Sequence, residues 1–125
     1  MKNIRFDTII INENAEWIEI IKNNLIKTKY IILNSDLKIN LNFFKDVNLR
    51  VITYGFNSKA TITISSNTED SIQICVQRNI LNKKHNIEQQ EISLVKEDEV
   101  DIYDVMLLIA ILLIHNKEII NSLKL

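Results

Sequence analysis

The chain has 125 residues, 46% of them hydrophobic and 25% charged, an ordinary globular balance for one domain large enough to bury its own core. Fifteen Lys and Arg stand against sixteen Asp and Glu, a net charge of −1, so there is neither a basic stripe for nucleic acid nor an acidic tail. One glycine and no proline exclude the Walker A loop, the dinucleotide-binding fingerprint and the nucleophile elbow. Each needs two or three glycines where a side chain would block the backbone.

The first element is a short β-branched run, Phe6 to Asn12, which reads as a buried strand. Asn14 is placed to cap a helix from Ala15 to about Lys27, with Trp17, Ile18, Ile21 and Leu25 as its apolar stripe. Tyr30 to Asn34 (YIILN) is a second buried strand. The stretch from Leu37 to Val47 is ambiguous, a short helix or turn anchored by Leu41, Phe43 and Phe44. Arg50 to Tyr54 (RVITY) is a third strand. This order of strands suggests parallel pairing with right-handed connections.

The pattern then changes to alternation. Ala60, Ile62 and Ile64 alternate with Thr61 and Thr63; Ile72, Ile74 and Val76 alternate with Gln73, Cys75 and Gln77. A third stretch, Glu88 to Leu94, carries Ile92 and Leu94 on one face. Alternation marks antiparallel strands with one wet face. Residues 67–70 (NTED) read as the turn between the first two, and residues 82–86 (NKKHN) as a polar loop before the third. Asp101 is an N-cap candidate with Asp104 three residues on. The helix that follows, Ile102 to about Ile114, is apolar on every face in its middle and needs cover on most sides. His115 and Lys117 suit the negative pole at its end.

The most distinctive residues are LNSD, ending at Asp36, and VITYGFNSKAT, from Val51 to Thr61. Their order resembles the second half of the central domain of the Mur ligases, the ATP-dependent enzymes that add amino acids to peptidoglycan precursors. In that family a strand ends in Asn-x-Asp-Asp. Asn34, Ser35 and Asp36 match, while Leu37 stands where the second Asp would be. A strand close to Val51–Gly55 follows in the family, then a small antiparallel sheet opening near Asn57 to Ser65. The helix from Asp101 to Ala110 falls at the family's next helix, with Tyr103 and Ala110 as matches but without its Gly, His and Asn. The likeness spans roughly Phe6 to Ile114.

The resemblance implies a single truncated domain over residues 1–125. Its fold would be α/β, a small mainly parallel sheet with flanking helices plus an antiparallel extension over about 60–95. The phosphate loop, and the magnesium-binding Glu and His of the ligases, have no counterpart in this sequence. The expectation is therefore a non-catalytic interaction or structural module of a bacterium, linked to cell-wall metabolism, with no cofactor and no catalytic residue. The alternatives are a binder of a nucleotide or UDP-sugar, or an accessory subunit of an ATP-dependent ligase.

The candidate ligand-binding residues are Asn34, Asp36, Gly55 and Asn57. Asn34 and Asp36 end a parallel strand, where open α/β sheets place ligands; a strand-ending turn would use the same residues. Gly55 marks a positive φ or a close backbone approach. No metal site is expected, since His85, His115 and the acids at 97–104 lack ligand spacing. Cys75, the sole cysteine, reads as a packed thiol in a reducing compartment. The N-terminus lacks the apolar region of a signal peptide, and the ten-residue apolar run Val105 to Ile114 is short of a membrane span, so a cytoplasmic protein is expected. The same run reads either as a core helix or as the interface of a homo-oligomer, and a homo-oligomer is expected, with neither nucleic acid nor membrane as partner.

Overall fold

A computed structural model describes residues 8–11, 29–37, 50–80 and 86–115. Six strands form one mixed sheet in sequential order: β1 (Thr8–Ile11), β2 (Tyr30–Asn34), β3 (Arg50–Tyr54), β4 (Ile62–Asn67), β5 (Ser71–Val76) and β6 (Gln90–Val95). β2 is parallel to both β1 and β3, with every residue of β2 and β3 in register from Tyr30↔Arg50 to Asn34↔Tyr54. All five residues of β2 are buried, as a central strand covered on both faces requires. The expected helix from Ala15 to Lys27 and the ambiguous stretch 38–47 lie outside the described residues.

The expectation of a mainly parallel sheet with flanking helices is corrected. The antiparallel strands are not an appendage: β4 pairs with β3, and β5 and β6 follow by antiparallel ladders that run the length of the strands. Among the described residues one helix, α1 (Ile102–His115), accompanies this sheet. The physical reason is the link between β3 and β4. Tyr54, the last residue of β3, pairs in parallel with Ile62, the first of β4, and no further pair joins the two. Main-chain bonds from Gly55 N to Ile62 O (3.1 Å) and from Gln77 N to Thr61 O (2.7 Å) hold the junction. β4 therefore continues past the carboxyl edge of the parallel strands by roughly 15–20 Å at ~3.3 Å per residue. The sheet is two staggered halves meeting in a step.

Local chemistry explains the antiparallel half. Thr68 closes the first hairpin: its N–H donates to Ser71 O (2.8 Å) and its Oγ1 accepts from Ser71 N (3.1 Å). The register shifts between Ile64 and Ser66, and Ser65 Oγ donates to Gln73 O (3.2 Å) at that bulge. Ile62, Ile72, Ile74, Val76, Ile92 and Leu94 are buried on one face, and exposed or half-buried residues, polar apart from Cys75 and Val95, occupy the other. Cys75 belongs to this second set. It is a free, half-buried thiol rather than the packed one expected, because Ile74 and Val76 on either side take the core face.

α1 begins as the sequence indicated. Asp101 Oδ1 accepts from Tyr103 N (2.8 Å) and Asp101 O from Val105 N (3.1 Å). Val105, Met106, Ile109, Ala110, Leu113 and Ile114 form its buried stripe, packed across β2, β3 and β4. Leu107, Leu108, Ile111 and Leu112 are half-buried. At the far end, His115 Nε2 lies 3.3 Å from Thr8 Oγ1, which ties the helix end to the start of β1. Among the described residues no helix is long and apolar enough to cross a membrane.

Candidate functional site

β2 and β3 run parallel, so Asn34 and Tyr54 end at the same edge, and the step of the sheet raises β4 beside them. α1 starts at this edge too. Three pieces of chain far apart in sequence therefore meet here: residues 34–37, residues 55–61 and the first turn of α1. All four sequence candidates, Asn34, Asp36, Gly55 and Asn57, belong to this one cluster.

The turn after β2 is built by Asn34. Its Oδ1 accepts from Asp36 N (3.0 Å) and its carbonyl from Leu37 N (3.2 Å), an Asx turn on a buried asparagine. Ser35 continues the ladder, donating from its N–H (2.9 Å) and its Oγ (3.2 Å) to Tyr54 O. Asp36 is thereby aimed at the next loop.

There its carboxylate meets four donors. Oδ2 accepts from Phe56 N (2.8 Å) and from the Tyr103 hydroxyl (2.8 Å). Oδ1 accepts from Asn57 Nδ2 (2.7 Å) and from Asn57 N (3.3 Å). Asn57 Nδ2 also donates to Ser35 Oγ (2.7 Å), and Asn57 Oδ1 accepts from Lys59 N (3.0 Å). Asn57 is thus fully used. A carboxylate has about four lone-pair sites, and here each has a donor.

Gly55 is explained by the same carboxylate. A Cβ on residue 55 would lie 2.8 Å from Asp36 Oδ1 and 2.9 Å from its Cγ and Oδ2. The φ of 157° is positive, a conformation that L side chains rarely adopt, so crowding by Asp36 and the backbone itself both demand glycine. The close approach foreseen from the sequence is made by Asp36 itself.

Electrostatics follow the geometry. Burial pushes the Asp36 carboxyl up, but the hydrogen bonds from Asn57, Phe56 and Tyr103 outweigh it and hold the group below its ordinary value. Its partner Tyr103 is raised, first by the hydrogen bond to Asp36, then by burial and by the charges of Asp36 and Asp101. Tyr54, beneath the cluster, is pushed up to about 12, mainly by burial and further by the charges of Asp104 and Asp101. All three shifts favour the state drawn here, a charged Asp36 with two neutral phenols.

Two residues escaped the sequence reading. In the sequence Tyr103 stands out only as a match within the helix motif, and Phe56 only as part of the VITYGFN run. Their rings pack edge to face, centroids 5.0 Å apart at 87°, with Phe56 half exposed. A short aromatic after a strand and another at a helix start carry no periodic signal that would join them. His115, at the opposite end of α1, does not enter the cluster, and His85 lies outside the described residues. Among the described residues no group of three or more His, Cys, Asp and Glu could hold a metal ion.

Chemically, the cluster is a latch. Its Asp36 carboxylate is occupied by four donors from its own chain. Comparison with protein-family models, with curated proteins and with solved structures finds no match.

Proposed function

We propose that this chain is a non-catalytic relative of the Mur ligase central domain, acting as an interaction or structural module in the bacterial cytoplasm with a link to cell-wall metabolism. The observation that carries the non-catalytic part is the saturation of Asp36 by Phe56, Asn57 and Tyr103. A carboxylate that serves a ligand keeps acceptor sites for it; this one spends them on joining three chain segments. The sheet supports the same reading. Its strands follow in sequential order, so the reversal that opens a ligand crevice in doubly wound sheets is missing among the described strands. The ancestry rests on the sequence likeness of LNSD and VITYGFNSKAT. Self-association through α1 would use Leu107, Leu108, Ile111 and Leu112, the side of the helix that the sheet leaves half-covered.

A nucleotide or UDP-sugar binder is the second reading, favoured by one observation. Phe56 is half exposed at the carboxyl edge of parallel strands, where a flat ring could stack. Thermal unfolding with ATP, ADP and UDP-linked cell-wall precursors, each with and without magnesium, separates the two. A ligand of the folded state at ~100 times its dissociation constant adds about 2.7 kcal/mol. The module reading expects no shift with any of them. A shift that disappears in Phe56→Ala would replace it with the binder.

A further inference from the structure

We infer that the outer edge of β6 is a self-pairing edge, on which a second copy of this chain adds its own β6 antiparallel to form a continuous sheet. This names a partner for the interaction-module reading and rests on it.

The backbone directions are fixed by one hydrogen bond. Lys96 N donates to Asp70 O (2.8 Å), in line with the register of β5 and β6. In an antiparallel strand the main-chain groups of alternate residues point to the same side. Leu94, Ile92 and Gln90 therefore turn their N–H and C=O groups to β5. Glu91, Ser93 and Val95 turn theirs outward, where no described strand pairs with them. All three residues are exposed, Val95 by 56%.

Little on the strand blunts this edge: Lys96, an inward-pointing charge, comes only after its last residue. Its ladder with β5 is regular over all six residues, there is no proline in the chain, and Glu91 is the one charge among the three outward residues. Edges that must stay single carry prolines, bulges or lysines.

The register selects the occupant. A two-fold axis at Ser93 sets Ser93 against Ser93 of the second copy and Glu91 against Val95, so all three outward residues exchange both main-chain groups. Ile92 then lies opposite Leu94 on the helix side, extending the apolar row, and Gln90 lies opposite Lys96. Within the strand no like charges meet. Sliding two residues one way sets Glu91 against Glu97 and loses a bonded pair. Sliding the other way calls on the N–H of Gln89, which already donates to Asn79 Oδ1 (3.0 Å). The edge fits its own copy in a single register, which is the signature of an isologous contact. α1 lies over β2, β3 and β4, away from this axis, so the contact is small and the dimer is of the transient class.

Sedimentation velocity across a protein concentration series tests this, with Ser93→Asp as the variant. Its side chain is exposed in the single chain, so folding stability changes by no more than about 0.5 kcal/mol. In the dimer it sets two carboxylates face to face at the axis. The expected result is a wild-type mass that rises with concentration toward the dimer and a dissociation constant weakened about tenfold or more in Ser93→Asp. Amide hydrogen exchange at Glu91, Ser93 and Val95 should slow with concentration in the wild type only. A wild type that stays monomeric overturns the inference. So does a dimer that survives Ser93→Asp but is lost in Leu108→Glu, which would move the contact to α1 and leave the module reading standing. The module reading itself fails separately, by a ligand-induced thermal shift.

Discussion

The pair Gly55 and Asp36 offers a sharp test of the latch. Gly55→Ala places a methyl 2.8–2.9 Å from three carboxylate atoms, against 3.4 Å for an ordinary contact. The carboxylate must retreat by about 0.6 Å, which stretches hydrogen bonds that now measure 2.7–2.8 Å. Overpacking costs about 1–3 kcal/mol. Charge-assisted hydrogen bonds add ~1.5–3 kcal/mol where buried, and less at this exposed site. Gly55→Ala should therefore destabilise by about 2 kcal/mol. Asp36→Ala, whose freed donors largely reach water, should cost about 1–2 kcal/mol. In the double variant the crowding is gone, and the alanine at 55 should cost only the backbone strain of its positive φ. Urea unfolding with an unchanged m-value measures all four corners of the cycle. A coupling of about 1–2 kcal/mol is expected; effects that add within ~0.5 kcal/mol would falsify the idea that Asp36 crowds residue 55 and leave the positive φ as the reason for glycine.

Further outcomes follow from the same contacts. Tyr103→Phe keeps the ring against Phe56 but removes a donor from Asp36, so it should cost about 1 kcal/mol in urea unfolding and raise the Asp36 pKa. Met106→Ala, at a fully buried position on α1, should cost about 2–5 kcal/mol by the same assay. Lys96 has a side chain only 4% exposed, with Asn67 Oδ1 at 2.9 Å and Glu99 at 3.9 Å; Lys96→Met should be close to neutral, or stabilising by about 1 kcal/mol, because the ammonium loses its desolvation cost. Stability should also fall at alkaline pH. Tyr54 has a folded pKa raised to about 12, so its contribution is whole below its unfolded value, ~10, and is lost as pH rises toward 12. Absorbance titration of the phenolates checks this.

Much of the strand pattern was legible because it is locally written. YIILN and RVITY are short apolar runs with polar ends, and the structure places β2 and β3 on those residues. Alternation gave β5 and β6 and the side chains they bury, whereas β4 runs on through Asn67, expected in the turn, and leaves Ile64 half-buried. What the sequence hid is how the two patterns join. A single parallel pair, Tyr54↔Ile62, merges them into one mixed sheet, and nothing in either residue advertises that pairing. Cys75 is the exception: its parity already sets it with Gln73 and Gln77 on the wetter face, but the general preference of cysteine for the interior argues the other way. The four site candidates did come together, because turn residues at the ends of adjacent parallel strands are neighbours by topology. Their roles were not legible. Whether Asp36 faces a ligand or its own chain depends on Tyr103, 67 residues away in sequence.

The central claim is that Asp36 is a satisfied, charged acceptor closing three chain segments. Its carboxyl carbon shift, followed by NMR from neutral to strongly acidic pH, tests that directly. Because the folded pKa is depressed, the latch's contribution is present above the unfolded value, ~3.9, and is lost as pH falls through the folded one. The expected result is a midpoint below the ordinary aspartate value, moving up in Tyr103→Phe, with the Phe56 and Asn57 amide shifts following the same curve. A midpoint at or above the ordinary value, or amides that ignore it, would mean that the carboxylate is open to solvent and free for another partner.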